Sequence, residues 1–250
     1  MILLLGGTSE SLAVADWLTA HQRPFILSVT TDYGATLARQ HAQQVSEAVL
    51  TPATFSHFFE THAITMVLDA THPFARVIST TIIEAAATAG IPYLRFERED
   101  GLKSSANLVL VDSLTQACDY LKQRVGTVYL STGSKTAADY ADQLGVDRLH
   151  VRVLPTTGVM TLLTAAGFNS GQIDGIRGPF TVQLNVELFE RANAIAVVTK
   201  ESGRRGGVQE KMMACDQLGI PCIVIRRPAV DYPQRVSTLA DLARYFTATN

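Results

Sequence analysis

The chain is short of cysteine, of long apolar runs and of uncompensated charge, and each shortage removes a class of protein. Its three cysteines, Cys118, Cys215 and Cys222, are odd in number and contain no Cys-x-x-Cys pair. That speaks against a disulfide framework and the common zinc spacings, and no metal site is expected. Buried, reduced thiols are the expectation. No stretch approaches the ~18 consecutive apolar residues of a membrane span. The opening MILLLGG has no basic leader and too short an apolar run for a signal peptide, so a cytoplasmic protein is expected. A net charge of −2 gives no overall attraction to nucleic acid or to an acidic membrane, so any basic site must be local. Low-complexity tracts, heptads and short repeats are missing as well.

What remains is the composition of a globular enzyme, 47% hydrophobic and 18% charged over 250 residues. That length suits one large or two small domains. Short β-branched or leucine-rich runs alternate with loops and helical patterns throughout, which is the signature of α/β units with parallel strands. In such sheets small molecules bind at the carboxyl edge, in the loops that follow the strands.

The stretch from Ala196 to Pro228 shows the pattern most fully. An apolar strand stops at Thr199, and the loop carries Lys200, Ser202, Gly203, Arg204, Arg205, Gly206 and Gly207. A helix with Val208, Met212, Cys215 and Leu218 on one face leads to a second strand, Ile220 to Ile225. Glycines let backbone N–H groups approach an anion, the helix start adds its positive dipole end, and the lysine and arginines add full charge. An anion site is the reading adopted over a plain solvated turn.

The first half opens with the strand Ile2 to Leu5, the turn Gly6-Gly7-Thr8-Ser9, and a helix with Leu12, Ala15 and Leu18. A glycine turn against a helix start is where pyrophosphates sit, although glycine is lacking at Thr8 and Ser11 for a strict G-x-G-x-x-G. Ser9 could equally cap the helix. After the strand Phe25 to Val29 come Thr30, Thr31, Asp32 and Tyr33. Hydroxyls there suit a ribose 2′-phosphate, and an inward Asp32 would repel one. A third strand, Thr65 to Asp69, runs into Ala70-Thr71-His72-Pro73, with Pro73 placed to start a helix. Asp69, Thr71 and His72 then fall on the carboxyl edge, with helix capping by Asp69 and a structural imidazole as the plainer readings. That helix should bury Val77, Ile78, Ile82, Ala85 and Ala89. The strand Ile91 to Phe96 ends this half, and the charged run near Glu99 to Ser105 marks a boundary.

In the second half, strands are expected at Leu108 to Val111, Thr127 to Ser131, Leu149 to Leu154, Ile195 to Thr199 and Ile220 to Ile225. Ser131-Thr132-Gly133-Ser134-Lys135 is a second cradle or a helix cap. Arg152, Arg177, Arg204, Arg205, Arg226 and Arg227 collect near strand ends. Their forked guanidinium groups suit carboxylates and phosphates. Arg226 and Arg227 are read instead as surface salt bridges.

Together LLLGGTSE, SVTTDYG, LDATHPFA, YLRFER, VRVLP, GPF and VTKESGRRGGVQEK resemble the precorrin-6A reductase family of cobalamin biosynthesis, in order and along nearly the whole chain. The resemblance implies two Rossmann-like domains of mostly parallel sheets, at 1–99 and 100–250, with the active site in a cleft between them. It implies NADPH as hydride donor and a carboxylate-rich corrin precursor, with or without cobalt, as acceptor. Gly6, Gly7, Thr8 and Ser9 would contact the cofactor phosphates, and Thr30, Thr31 and Tyr33 its adenosine end. Asp69, Thr71, Ser202, Gly203, Glu210 and Lys211 would line the cofactor's site, and Lys200 and His72 would act in catalysis. His72 or a bound water would supply the proton. Arg177, Arg204 and Arg205 would hold substrate carboxylates. Partners beyond the tetrapyrrole would be transient contacts with neighbouring enzymes of the pathway. Two rivals are a short-chain-type dehydrogenase, for which no tyrosine has a lysine four residues on, and a non-catalytic dinucleotide-sensing module, which would need no second basic loop.

Overall fold

The structure is a computed structural model and describes residues 1–97, 102, 104–202 and 207–248. The chain divides into two compact units, Met1–Glu99 with Pro228–Asn250, and Asp100–Arg227.

The first unit is built on β1 (Ile2–Leu5), β2 (Phe25–Ser28), β3 (Val45–Ser46), β4 (Met66–Asp69), β5 (Tyr93–Phe96) and the last strand of the chain, β12 (Arg235–Val236). They lie in the order β12-β5-β4-β1-β2-β3, and every pair is parallel. Numbered within the unit this is 3-2-1-4-5-6, the order of dinucleotide-binding Rossmann sheets. Strands β1, β2, β4 and β5 are buried at every residue. Their runs are uniformly apolar for that reason, since helices cover both faces. Ile2 and Leu4 pack under α1 (Ser9–Ala20), α2 (Asp32–Ala38) and α10 (Leu239–Ala248). Leu3 and Leu5, pointing the opposite way, meet α3 (Phe55–Thr61) and α4 (Arg76–Thr88).

Two expectations are corrected here. The tail 228–250, expected with the second domain, belongs to the first unit: β12 pairs with β5, and Leu242 and Phe246 of α10 enter its core. A two-residue strand carries no periodic signal, so only the sixth place in the sheet reveals it. Helix α4 starts at Arg76 rather than Pro73, and Val77 is 77% exposed while Ser79 is buried in its place.

The second unit holds β6 (Leu108–Val111), β7 (Thr127–Ser131), β8 (Leu149–Val153), β9 (Ile173–Gly175), β10 (Ala194–Lys200) and β11 (Cys222–Ile225), all parallel, in the order β6-β11-β10-β7-β8-β9. From β7 the chain winds outward through β8 and β9, and from β10 it winds the other way through β11. The reversal therefore lies between β7 and β10. Helices α5 (Leu114–Lys122), α6 (Ala137–Leu144), α7 (Thr157–Ala165), α8 (Val182–Arg191) and α9 (Val208–Leu218) complete the unit. Val186 and Phe189 of α8 and Val208, Met212 and Cys215 of α9 share one core with Tyr129, Val197 and Val224 of the sheet. All three cysteines are buried free thiols. No described helix is long and apolar enough to cross a membrane.

Candidate functional site

In the first sheet the winding reverses between β1 and β4, whose last residues, Leu5 and Asp69, are register partners. Ligands of open α/β sheets bind at such a switch point, outside the carboxyl ends of the strands. The loops leaving β1 and β4 are tied to each other, because the Thr8 hydroxyl donates to Ala70 O at 2.7 Å. Thr8 is also the helix cap that was expected of Ser9. Its Oγ1 accepts from Ser11 N–H at 3.0 Å, while Ser11 Oγ accepts from Thr8 N–H at 3.2 Å, a closed capping box. Ser9 is the exposed first residue of α1.

The two glycines divide their work. A Cβ on Gly6 would lie 2.6 Å from Leu27 Cδ1 and 3.3 Å from Ser28 O, so Gly6 is required by the packing of β1 against β2. Gly7 has φ +100 and open space where a side chain would project. That leaves a backbone-lined cradle at the positive end of α1, which fits the diphosphate of a dinucleotide. Beyond β2 lie Thr30, Thr31, Asp32 and Tyr33, all exposed. Thr31 caps α2, its hydroxyl accepting from Gly34 N–H at 3.0 Å.

Asp69 takes a different part from the one expected. It is 0% exposed and receives five donors: Thr71 N–H (2.9 Å) and Oγ1 (2.7 Å), Ser79 Oγ (2.7 Å), Tyr93 OH (2.7 Å) and Arg95 Nη1 (2.8 Å). A carboxylate so enclosed does not touch a ligand; it organises the loop. Burial alone would push its carboxyl up, but the Arg95 charge and the hydrogen bonds from Ser79, Tyr93 and Thr71 hold it below 3.8. A depressed carboxylate contributes stability that is fully present above its unfolded value and lost as pH falls through the folded one. Emission from Trp17, the one tryptophan and a resident of the first unit, should therefore stay native through pH 4 and change only in stronger acid. Loss of the native signal well above that pH contradicts the sealed pair.

His72 follows Thr71 and is half-buried, with Nδ1 accepting from Phe74 N–H at 3.2 Å. A ring whose Nδ1 accepts carries its proton, when neutral, on Nε2.

In the second sheet the reversal puts the loop after β7 beside the loop after β10, with Ser131 and Thr199 as register partners and Lys200 next in line. Burial, with the charge of Lys135 from the β7 loop, lowers the Lys200 pKa. Arg152 on β8 is buried, donating from Nη1 to Asn185 Oδ1 at 2.8 Å and from Nη2 to Ser131 Oγ at 2.9 Å, with its guanidinium 4.0 Å from the Phe180 ring centroid. Lys211 is only 5% exposed; burial and then Arg152 push its pKa down to about 8. Thr199 Oγ1 and Glu210 Oε2 are buried and have no hydrogen-bond partner among the described residues. Among the described residues named here, cations thus outnumber acids around this edge. Ser202 N–H donates to Lys200 O at 2.7 Å. Arg227 ties down the same loop by donating from Nε to Glu201 O at 3.0 Å. Arg226 does pair on the surface with Asp112 at 2.9 Å. Arg177 is exposed beside the cis Gly178–Pro179 bond. Gly203, Arg204 and Arg205 lie outside the described residues.

The sequence pattern puts Arg152 near a strand end and does not single out Arg95, and it reveals the burial of neither, on the strands next to β7 and β4. An arginine inside an apolar run, as in YLRF and HVRV, is the signal available, because a charge in a doubly covered strand must find partners.

Comparison with known proteins points one way. A family described as "Precorrin-6x reductase CbiJ/CobK" matches residues 1–247. The chain is 33% identical over 245 residues to the cobalt-precorrin-6A reductase of Priestia megaterium, covering 97% of this chain and 96% of that one. It is 34% identical over 229 residues to the Salmonella typhimurium enzyme of the same name, covering 91% and 87%. A solved structure of CobK precorrin-6A reductase superposes with a TM-score of 0.80 at 25% identity, covering 99% of this chain and 96% of that one.

Proposed function

Because the chain belongs to the precorrin-6x reductase family, we propose that it reduces precorrin-6A or its cobalt form in cobalamin biosynthesis, with NADPH as the electron donor. The observation that carries the cofactor is the first switch point: a 3-2-1-4-5-6 sheet with Gly7 at φ +100 in front of the capped start of α1. The bound nicotinamide supplies the hydride for one ring double bond, and the protein supplies binding and orientation.

Gly7 and the start of α1, with Ser9, hold the diphosphate, and Gly6 and Thr8 shape the turn that presents it. Thr30, Thr31 and Tyr33 meet the adenosine end, with the hydroxyls on the 2′-phosphate. His72 stands at the same edge and, as the imidazolium, is the donor to the carbon that does not take hydride, giving up its proton from Nε2 and returning to the neutral ring. Thr71 and Asp69 hold that residue in place. At the second switch point Lys200, Ser202 and Lys211 hold acetate and propionate groups of the macrocycle, Glu210 sits among them, and Arg177, Arg204 and Arg205 are assigned to the same kind of carboxylate. An excess of cations over acids at that edge is what a polyanionic ligand offsets.

Mixing the chain with NADPH and cobalt-precorrin-6A should give steady oxidation of the nicotinamide, and neither component alone should. NADH should serve less well by roughly tenfold or more, the value of one charge-assisted hydrogen bond to the 2′-phosphate. Equal use of the two cofactors removes Thr30 and Thr31 from the phosphate. Absence of acceptor-dependent oxidation, with either the cobalt or the metal-free substrate, removes the reaction.

A further inference from the structure

Thr71 is gripped at three points. Its N–H and its hydroxyl both donate to Asp69 Oδ1, at 2.9 and 2.7 Å, and its carbonyl accepts from Arg95 Nη2 at 2.9 Å. Arg95 Nη1 reaches Thr71 Oγ1 at 3.1 Å as well as Asp69 at 2.8 Å. A peptide unit is planar, so fixing the Thr71 carbonyl fixes the plane that carries the Cα of His72. The forked guanidinium does this because it serves a carboxylate and a carbonyl at once, which an ammonium group cannot reproduce.

Arg95 is in turn held from the far end of the chain. Its Nε donates to Glu97 Oε2 at 3.3 Å, and the ring of Tyr232 lies over the guanidinium, 5.0 Å from its carbon to the ring centroid. Tyr232 also stacks parallel to Tyr93, with centroids 6.5 Å apart at 7°, and Tyr93 OH donates to Asp69 Oδ2 at 2.7 Å. The C-terminal return delivers this ring, for β12 sets Arg235 opposite Arg95 in the sheet. One side of the grip is thus built from the strand β5 and the other from a segment that joins the first unit only after the whole second unit has been made.

We propose that Arg95 and Tyr232 are positioning residues for His72, and that the C-terminal segment completes the site at the first switch point by clamping Arg95 against Thr71. The proposal rests on the reading of His72 as a site residue.

Full-length Tyr232→Ala, Tyr232→Phe, Arg95→Lys and His72→Ala are compared with the unaltered chain, with Trp17 emission confirming that the first unit is folded. The His72 imidazole resonance, identified by its loss in His72→Ala, is followed by NMR in the ligand-free protein. Tyr232→Ala and Arg95→Lys should move that resonance, and Tyr232→Phe, which keeps the ring over the guanidinium, should leave it in place. With NADPH and cobalt-precorrin-6A, Tyr232→Ala should lower kcat by roughly tenfold to a hundredfold, the cost of a small misplacement, while KM for the tetrapyrrole holds. Tyr232→Phe should restore kcat. An unmoved His72 resonance in folded Tyr232→Ala overturns the proposal, as does a Tyr232→Phe chain that behaves like Tyr232→Ala. A resonance that moves while His72→Ala itself keeps full kcat supports the clamp and removes His72 from the chemistry.

Discussion

Lys200→Ala is expected to lower kcat/KM by roughly thirtyfold to a hundredfold. A buried or half-buried charged hydrogen bond contributes about 2–3 kcal/mol, and each 1.4 kcal/mol is about a factor of ten. Lys200 ends β10 at the second switch point, one residue past the Thr199–Ser131 pair. Its ammonium group is partly desolvated and stands near Lys135, two effects that lower its pKa from 10.5. A carboxylate arriving at this edge relieves both, which makes the binding energy large there. The sign of the pH effect follows: affinity for the polyanion should weaken as pH rises through the lowered pKa, earlier than for an ordinary surface lysine. Steady-state kinetics separate two roles for this side chain. A rise in KM with kcat held means Lys200 binds the carboxylate equally well before and during reaction; a fall in kcat means it orients the ring for hydride transfer. Wild-type values of both remove Lys200 from the site.

Asp69→Asn should destabilise the first unit by up to about 3–5 kcal/mol, because it takes from the buried guanidinium of Arg95 its nearer counter-charge and leaves it Glu97 Oε2, at 3.3 Å from Nε. Arg95 is 1% exposed and Asp69 0%, so water cannot step in for the lost charge. The amide keeps the shape of the carboxyl but accepts through one oxygen only. Tyr93 and Ser79, both donors to Asp69 Oδ2, then compete with an N–H₂ donor. Urea unfolding followed by Trp17 emission reads this unit selectively, since it contains the one tryptophan of the chain. A midpoint within the spread of ordinary surface variants would show that Arg95 finds other anionic support. The same variant bears on the clamp proposed above, because Asp69 holds two of the three grips on Thr71.

Much of the architecture was legible in the sequence because parallel sheets covered on both faces demand continuous apolar runs. ILLL, MVLD and CIVI are strands at or near the expected bounds for that reason. The loops after them carry the polar residues, so sequence pattern alone puts Gly7, Thr71, His72 and Lys200 at the carboxyl edge. Their grouping at two switch points was not legible. It depends on strand order, and order is settled by which runs pair across the sheet, something local periodicity does not encode. Short edge strands escaped for a related reason. Val45–Ser46, Ile173–Gly175 and Arg235–Val236 have two or three residues each, fewer than a period-2 signal needs.

By itself, then, the amino-acid sequence determined the composition of each layer, the alternation of strand and helix, and the chemistry available at each loop, because these follow from local pattern and side-chain type. Tertiary structure alone decided that the tail returns to the first sheet, that Asp69 is sealed against Arg95 rather than offered to a ligand, and that Arg152 and Lys211 lie buried. Those outcomes depend on which distant segments share a dry interior, and burial is what turns a charged side chain from a surface contact into an organiser of the site.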